Sequence, residues 1–220
     1  MKKRNAAYLI AGILSLLFYV AGIFTGINIQ QSVSKSVEED LASIKSDIEN
    51  QQQELILFSL RGKESCTVLQ SLSSTTAAKL DSVSNDIRRL EQSNQKDATF
   101  VATKELYSTL SIRAWILRAS INENCDPKSV LILYYYSFPC EDCKMQEDTL
   151  EHIKSMDVER ILTYAVDKDV NNSLIQTLVR SHMVDRSPSL VISNEVYRGF
   201  VNETKLREIV CGEINVSCGK

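Results

Sequence analysis

Cys140-Glu141-Asp142-Cys143 is the segment of this chain whose residue types and spacing hold the most chemistry. Cysteines at i and i+3 sit one helical turn apart, near enough to form a disulfide. At the start of a helix the first thiol is exposed and the second lies one turn in. Free backbone N–H groups and the helix dipole would then favour a thiolate on Cys140 and lower its pKa. Such a thiolate attacks a disulfide to form a mixed disulfide, and Cys143 resolves it. Run in reverse, the same pair oxidises a dithiol. Glu141 and Asp142 oppose this, because nearby negative charge disfavours a thiolate and so favours the disulfide over the dithiol. The competing reading is an inert disulfide that staples the fold.

Four further cysteines bring the total to six. Cys66 and Cys125 lie at matching distances from a polar turn, Gln92-Ser93-Asn94-Gln95, so a disulfide between them would close the open end of a helical hairpin. Free thiols or pairing between chains are the alternatives. Cys211 and Cys218 bracket Gly-Glu-Ile-Asn-Val-Ser and could close a small C-terminal loop. A zinc site combining these two with Cys140 and Cys143 has poor knuckle spacing, and neither His152 nor His182 stands at ligand spacing from a cysteine. No metal is expected. His152, in mid-helix, and His182, at a helix end, read as surface residues. Trp115 and Tyr134-Tyr135-Tyr136 read as core and sheet residues. No G-x-G-x-x-G or P-loop pattern appears, so neither a nucleotide nor any other cofactor is implied.

The elements that must hold the Cys140 pair follow from periodicity. Val130–Tyr136 is a continuous apolar run, the mark of a buried strand. Ser137-Phe138-Pro139 turns the chain, and Cys140 opens a helix to about Met156. A strand over 160–166, a helix over 172–182, a strand over 189–193 introduced by Ser187-Pro188, a strand over 196–200 and a helix over 202–210 complete the order β-α-β-α-β-β-α. Upstream, three apolar stripes at helical spacing predict a stalk. The first is Val37, Leu41, Ile44, Ile48, Leu55 and Phe58, interrupted by Gln51. The second is Leu69, Leu72, Thr76, Val83, Ile87 and Leu90. The third, with Asp97 as candidate N-cap, is Phe100, Tyr107, Leu110, Ala114, Leu117 and Ile121. The second and third should form an antiparallel hairpin over 66–125. The first could pair with its copy in a homodimer or pack on the hairpin as a third helix.

A strand leading into F-P-C-x-x-C at a helix start, with S-P-S-L-V-I downstream, resembles the thioredoxin-like superfamily over about residues 128–213. The resemblance implies that Pro188 is a cis-proline beside the active-site disulfide. It also implies that Ser187, turned toward a substrate strand, helps shape the groove. Two departures stand out. The strong oxidants of this superfamily carry a neutral or basic dipeptide between the cysteines, not Glu-Asp. Many thioredoxins have a buried acid six residues before the first cysteine, and that position here is Tyr134.

At the N-terminus, Lys2, Lys3 and Arg4 precede an apolar run from Ala6 to Ile29. As a helix it would span about 36 Å, against about 30 Å of hydrocarbon. The sequence therefore predicts an uncleaved single-pass signal-anchor with a cytoplasmic tail at 1–5 and an extracytoplasmic C-terminal part. A cleaved signal peptide is the rival. Gly22 and Gly26 make a G-x-x-x-G pair that also suits ordinary membrane glycines. Asn171, Asn202 and Asn215 begin N-x-S/T sequons.

The 220 residues carry a net charge of −3 and are 44% hydrophobic, so nothing suggests nucleic-acid binding or wholesale disorder. The expected organisation is a tail at 1–5, an anchor at 6–29, a helical stalk at 30–126 and a thioredoxin-like α/β domain at 128–220. The expected activity is thiol–disulfide exchange by Cys140 and Cys143 with protein thiols and disulfides of exported proteins, or with a membrane redox partner. The rival is a non-enzymatic coiled-coil tether with a thioredoxin-like binding module and structural disulfides.

Overall fold

The computed structural model describes residues 12–23, 25, 35–46, 66–93, 97–125 and 128–214. Two helical segments, 12–23 and 35–46, precede helices α1 (Cys66–Gln92) and α2 (Ala98–Asn124). Then follow β1 (Val130–Tyr136), α3 (Glu141–Met156), β2 (Ile161–Asp167), α4 (Ser173–Ser181), β3 (Ser189–Ile192), β4 (Glu195–Arg198) and α5 (Glu203–Ile214).

The expected transmembrane helix over 6–29 is corrected. No helix among the described residues is long and apolar enough to cross a membrane. Crossing about 30 Å of hydrocarbon takes about 20 consecutive apolar residues in one helix. Apart from 12–23 and 25, the 6–29 run lies outside the described residues. The single-pass, cell-membrane placement deduced from that run is corrected with it.

Four strands form one sheet in the order β2-β1-β3-β4. β1 runs parallel to β2 and antiparallel to β3, and β3 and β4 form a hairpin turned by Ser193 and Asn194, both with positive φ. β1 has a neighbour on each side and helices over each face, so its apolar run is unbroken. Alternate side chains serve different layers. Val130, Ile132 and Tyr134 join Leu150 and Ile153 of α3 and Leu206 and Val210 of α5. Leu133 and Tyr135 point the other way, to Ile112 and Ala114 of α2 and Ile175 of α4.

α2 is therefore a wall shared by two cores. One face carries Ile112 and Ala114 onto the sheet. Another carries Leu106 and Leu110 against Val83 and Leu90 of α1, where Val37, Leu41 and Ile44 of the 35–46 segment also pack. The described part of the first stripe thus lies on the hairpin; Ile48, Leu55 and Phe58 are outside the described residues. Buried Ser108 and Ser111 keep α2 slim where it meets its neighbours. The Ser108 hydroxyl accepts a hydrogen bond from the Asp167 backbone N–H at 3.1 Å. Lys104 of α2 pairs with the buried Asp167 carboxylate at the end of β2, with its ammonium 5.6 Å from the Tyr136 ring centroid.

Caps fix where the helices begin. Asp97 accepts from the N–H groups of Thr99 and Phe100 at 3.0 and 3.2 Å, opening α2. Asn172 does the same for α4 through Leu174 N–H at 3.0 Å. At the far end of the hairpin Cys66 and Cys125 are joined by a disulfide, with Cα atoms 5.8 Å apart.

Candidate functional site

Cys140 and Cys143 form a disulfide across the first turn of α3, with Cα atoms 5.2 Å apart. Cys140 is the helix N-cap, in extended backbone conformation, and its Sγ accepts the Cys143 N–H at 3.1 Å. A sulfur thus takes the place of the usual Ser, Thr, Asn or Asp oxygen and occupies one of the donors a helix start leaves open. The same donor would stabilise a thiolate on Cys140 once the disulfide opens. Cys143 is 5% exposed while Cys140 is half-buried, so an incoming sulfur reaches Cys140 first. Glu141 and Asp142 are exposed, and solvent screens their opposition to that thiolate.

Beneath the pair lies Tyr134. Its hydroxyl donates to the Cys143 carbonyl at 2.8 Å. Burial, and then the Glu147 carboxylate, push this phenol above its ordinary range, so it keeps its proton at neutral pH. Tyr134 is therefore a strut under the first turn of α3 and not a base for the Cys143 thiol. Its ring lies 5.8 Å from that of Tyr136.

β1 and β3 are antiparallel, with Tyr135 opposite Ser189, so the exit of β1 and the entry to β3 share one end of the sheet. Cys140 follows the first and Ser187-Pro188 precede the second, which brings these three residues to the same end. The Ser187–Pro188 peptide bond is cis, as is Phe138–Pro139. Pro188 is buried and its carbonyl accepts the Gly199 N–H at 2.8 Å. The Ser187 hydroxyl is buried without a hydrogen-bond partner among the described residues. Phe138, beside the cysteine turn, is 73% exposed and leaves an apolar ring at the rim.

Cys66 and Cys125 sit at the far end of the hairpin, in a separate small cluster with Leu69 and Ile121. Cys211 of α5 is disulfide-bonded, and Cys218 lies outside the described residues. His152 is exposed, with Nδ1 3.1 Å from Glu203 Oε2. His182 is not the surface residue its place at a helix end suggested. It is half-buried as the C-cap of α4, edge-on to Trp115, with the Tyr135 hydroxyl 2.8 Å from its Nδ1. Burial lowers the His182 pKa and raises that of Tyr135, so a neutral imidazole accepts from a neutral phenol. Trp115 also borders a cleft of about 300 Å³ between α2 and β3, lined by Asn122, Leu131, Val191 and Ser193.

Sequence reasoning passed over Gln146. It is fully buried, and its carboxamide bonds both backbone groups of Val201. The signal was present: Cys143, Gln146, Leu150 and Ile153 stand at three- and four-residue spacing, and one member of that buried stripe is polar.

No family model matches the chain, and no curated protein matches it. Among solved structures it is similar to thioredoxin-2 of a malaria parasite, described as a component of that parasite's protein secretion machinery. That match has 24% identity, covers 42% of this chain and 90% of the other, and has a TM-score of 0.35. A chloroplastic thioredoxin z matches at 22% identity over 47% of this chain and 88% of its own, with a TM-score of 0.38. The germline-specific thioredoxin Deadhead of Drosophila melanogaster matches at 18% identity over 46% and 92%, with a TM-score of 0.35.

Proposed function

We propose that this protein is a thiol–disulfide oxidoreductase acting on protein substrates through Cys140 and Cys143. One observation carries the reading. The two sulfurs are bonded to each other across the first turn of α3, the outer one half-exposed and hydrogen-bonded to a helix-start N–H, the inner one buried. In the reductive direction the Cys140 thiolate attacks one sulfur of a substrate disulfide. A bond forms between Cys140 and substrate, and the other substrate sulfur leaves as a thiolate that takes a proton from water. Cys143, after losing its proton to solvent, attacks Cys140 Sγ and releases the second substrate thiol. Two electrons pass from the cysteine pair to the substrate. The oxidative direction is the same sequence reversed.

Tyr134 bears on speed. With a phenol tied to a carbonyl where many thioredoxins hold an acid, the Cys143 proton has no built-in acceptor at that position. That observation also favours a second reading, in which the head is a binding module and the Cys140–Cys143 bond is structural. The reduction potential of this pair in the full chain, with every thiol assigned by mass spectrometry, separates the two. A value between about −120 and −270 mV supports the enzyme. A value well below about −300 mV, with Cys140 unreactive after reduction, overturns it.

A further inference from the structure

The Gln146 side chain is completely buried, a costly place for a carboxamide unless both its ends are bonded. Both are. Its Oε1 accepts the Val201 N–H at 2.7 Å, and its Nε2 donates to the Val201 carbonyl at 3.2 Å. The partner is main chain, 55 residues away in sequence, in the segment between β4 and α5. That segment begins at Gly199, whose positive φ suits a glycine and whose N–H reaches the Pro188 carbonyl at 2.8 Å. A continuous chain of bonds thus runs from the cysteine helix through Gln146 to Val201, back to Gly199 and on to Pro188. Packing alone does not call for an amide here. The contact of α3 with α5 and the sheet is already made by Leu150, Ile153, Leu206 and Val210. What the amide adds is register: it fixes a short irregular segment to the same helix that carries the disulfide.

We infer that Gln146 is a positioning residue for disulfide exchange on polypeptides, holding the Gly199–Val201 segment as a preformed wall beside Pro188. This rests on the oxidoreductase reading above. Its physical basis is preorganisation: a wall already fixed spares an incoming chain the cost of ordering it. A small disulfide needs only the Cys140–Cys143 pair and makes no use of the wall.

The test compares two substrates in the full chain, insulin as polypeptide disulfide and hydroxyethyl disulfide as small one. It uses wild type, Gln146→Leu and Gln146→Glu, each checked for folding by its thermal melt. In Gln146→Leu the KM for insulin should rise about tenfold with kcat little changed, while the rate with hydroxyethyl disulfide stays within about twofold. Gln146→Glu keeps the acceptor for Val201 N–H and loses the donor, so its KM should fall between the two. An unchanged insulin KM, or an equal loss on both substrates, overturns the positioning role and leaves the oxidoreductase reading standing. A wild type inactive on both substrates ends both. Should neither variant fold, hydrogen exchange in the wild type decides. A protected Val201 amide supports a fixed wall, and one exchanging like an open loop overturns it.

Discussion

The two disulfides seen at both ends hold the chain in different ways. Cys66–Cys125 joins residues 59 apart in sequence, at the far end of a helical hairpin. Cys140–Cys143 joins residues 3 apart, at a helix start, with one sulfur half-exposed. Loop-closure reasoning gives the long bridge about 4 kcal/mol of stabilisation and the short one about 2 kcal/mol. The long one is placed for stability and the short one for access. On the proposed oxidoreductase reading, location and loop length, more than the bond itself, separate a staple from a tool.

The largest effect that would break this contrast comes from the short pair. Replacing Cys143→Ser should abolish turnover, by about a thousandfold or more, and leave mixed disulfides between Cys140 and client proteins on a non-reducing gel. A gel without adducts would count against the tool half of the contrast. Next, Cys66→Ser with Cys125→Ser should lower unfolding free energy by about 4 kcal/mol in a denaturant titration and leave the potential of the Cys140 pair unchanged. A shifted potential would mean that the two bridges are coupled. Tyr134→Phe sharpens the comparison at smaller scale. It should cost about 1 kcal/mol of stability from the lost bond to the Cys143 carbonyl, with turnover within about twofold of wild type. A steep loss of turnover would make the phenol a proton carrier after all.

The smallest effect is one of pH. Burial lowers the His182 pKa below 6.5, so the unfolded chain binds more protons than the folded one as pH falls through that range. Its contribution is fully present above about 6.5 and is lost on acidification toward the lower folded value. His182→Phe should flatten this part of the stability–pH curve in denaturant titrations between pH 5 and 8. An unaltered slope would remove His182 from the account.

What could be read from residues alone follows a pattern. The Val130–Tyr136 run marked its strand because burial on both faces leaves no polar interruption. The Cys66–Cys125 closure was legible because helices of matched length on either side of one turn bring their far ends together. The Cys140–Cys143 bond was legible because cysteines three residues apart at a helix start lie within disulfide reach. Features that depend on other elements were not. α2 presented one apolar stripe, yet Ile112 and the small residues Ser108 and Ser111 build a second buried face that only the sheet explains. His182 looked exposed because its partners, Trp115 and Tyr135, come from distant parts of the chain. The apolar run near the N-terminus suggested an anchor, yet no helix among the described residues is long and apolar enough to cross a membrane.

The shared position of α2 bears on modularity. A boundary near Pro127 looks like a seam between stalk and head, but a head cut there would lose a wall of its own interior. Leu133, Tyr135, Val166 and Val191 would face water where Ile112 and Ala114 now cover them. The Lys104–Asp167 pair would lose its cation and leave a buried carboxylate unpaired. The portable piece is therefore larger than the α/β unit. Any transplant of this α/β head onto another scaffold, and any fragment prepared for crystallisation, must carry α2 with it, and with α2 the Cys66–Cys125 clasp that binds it to α1.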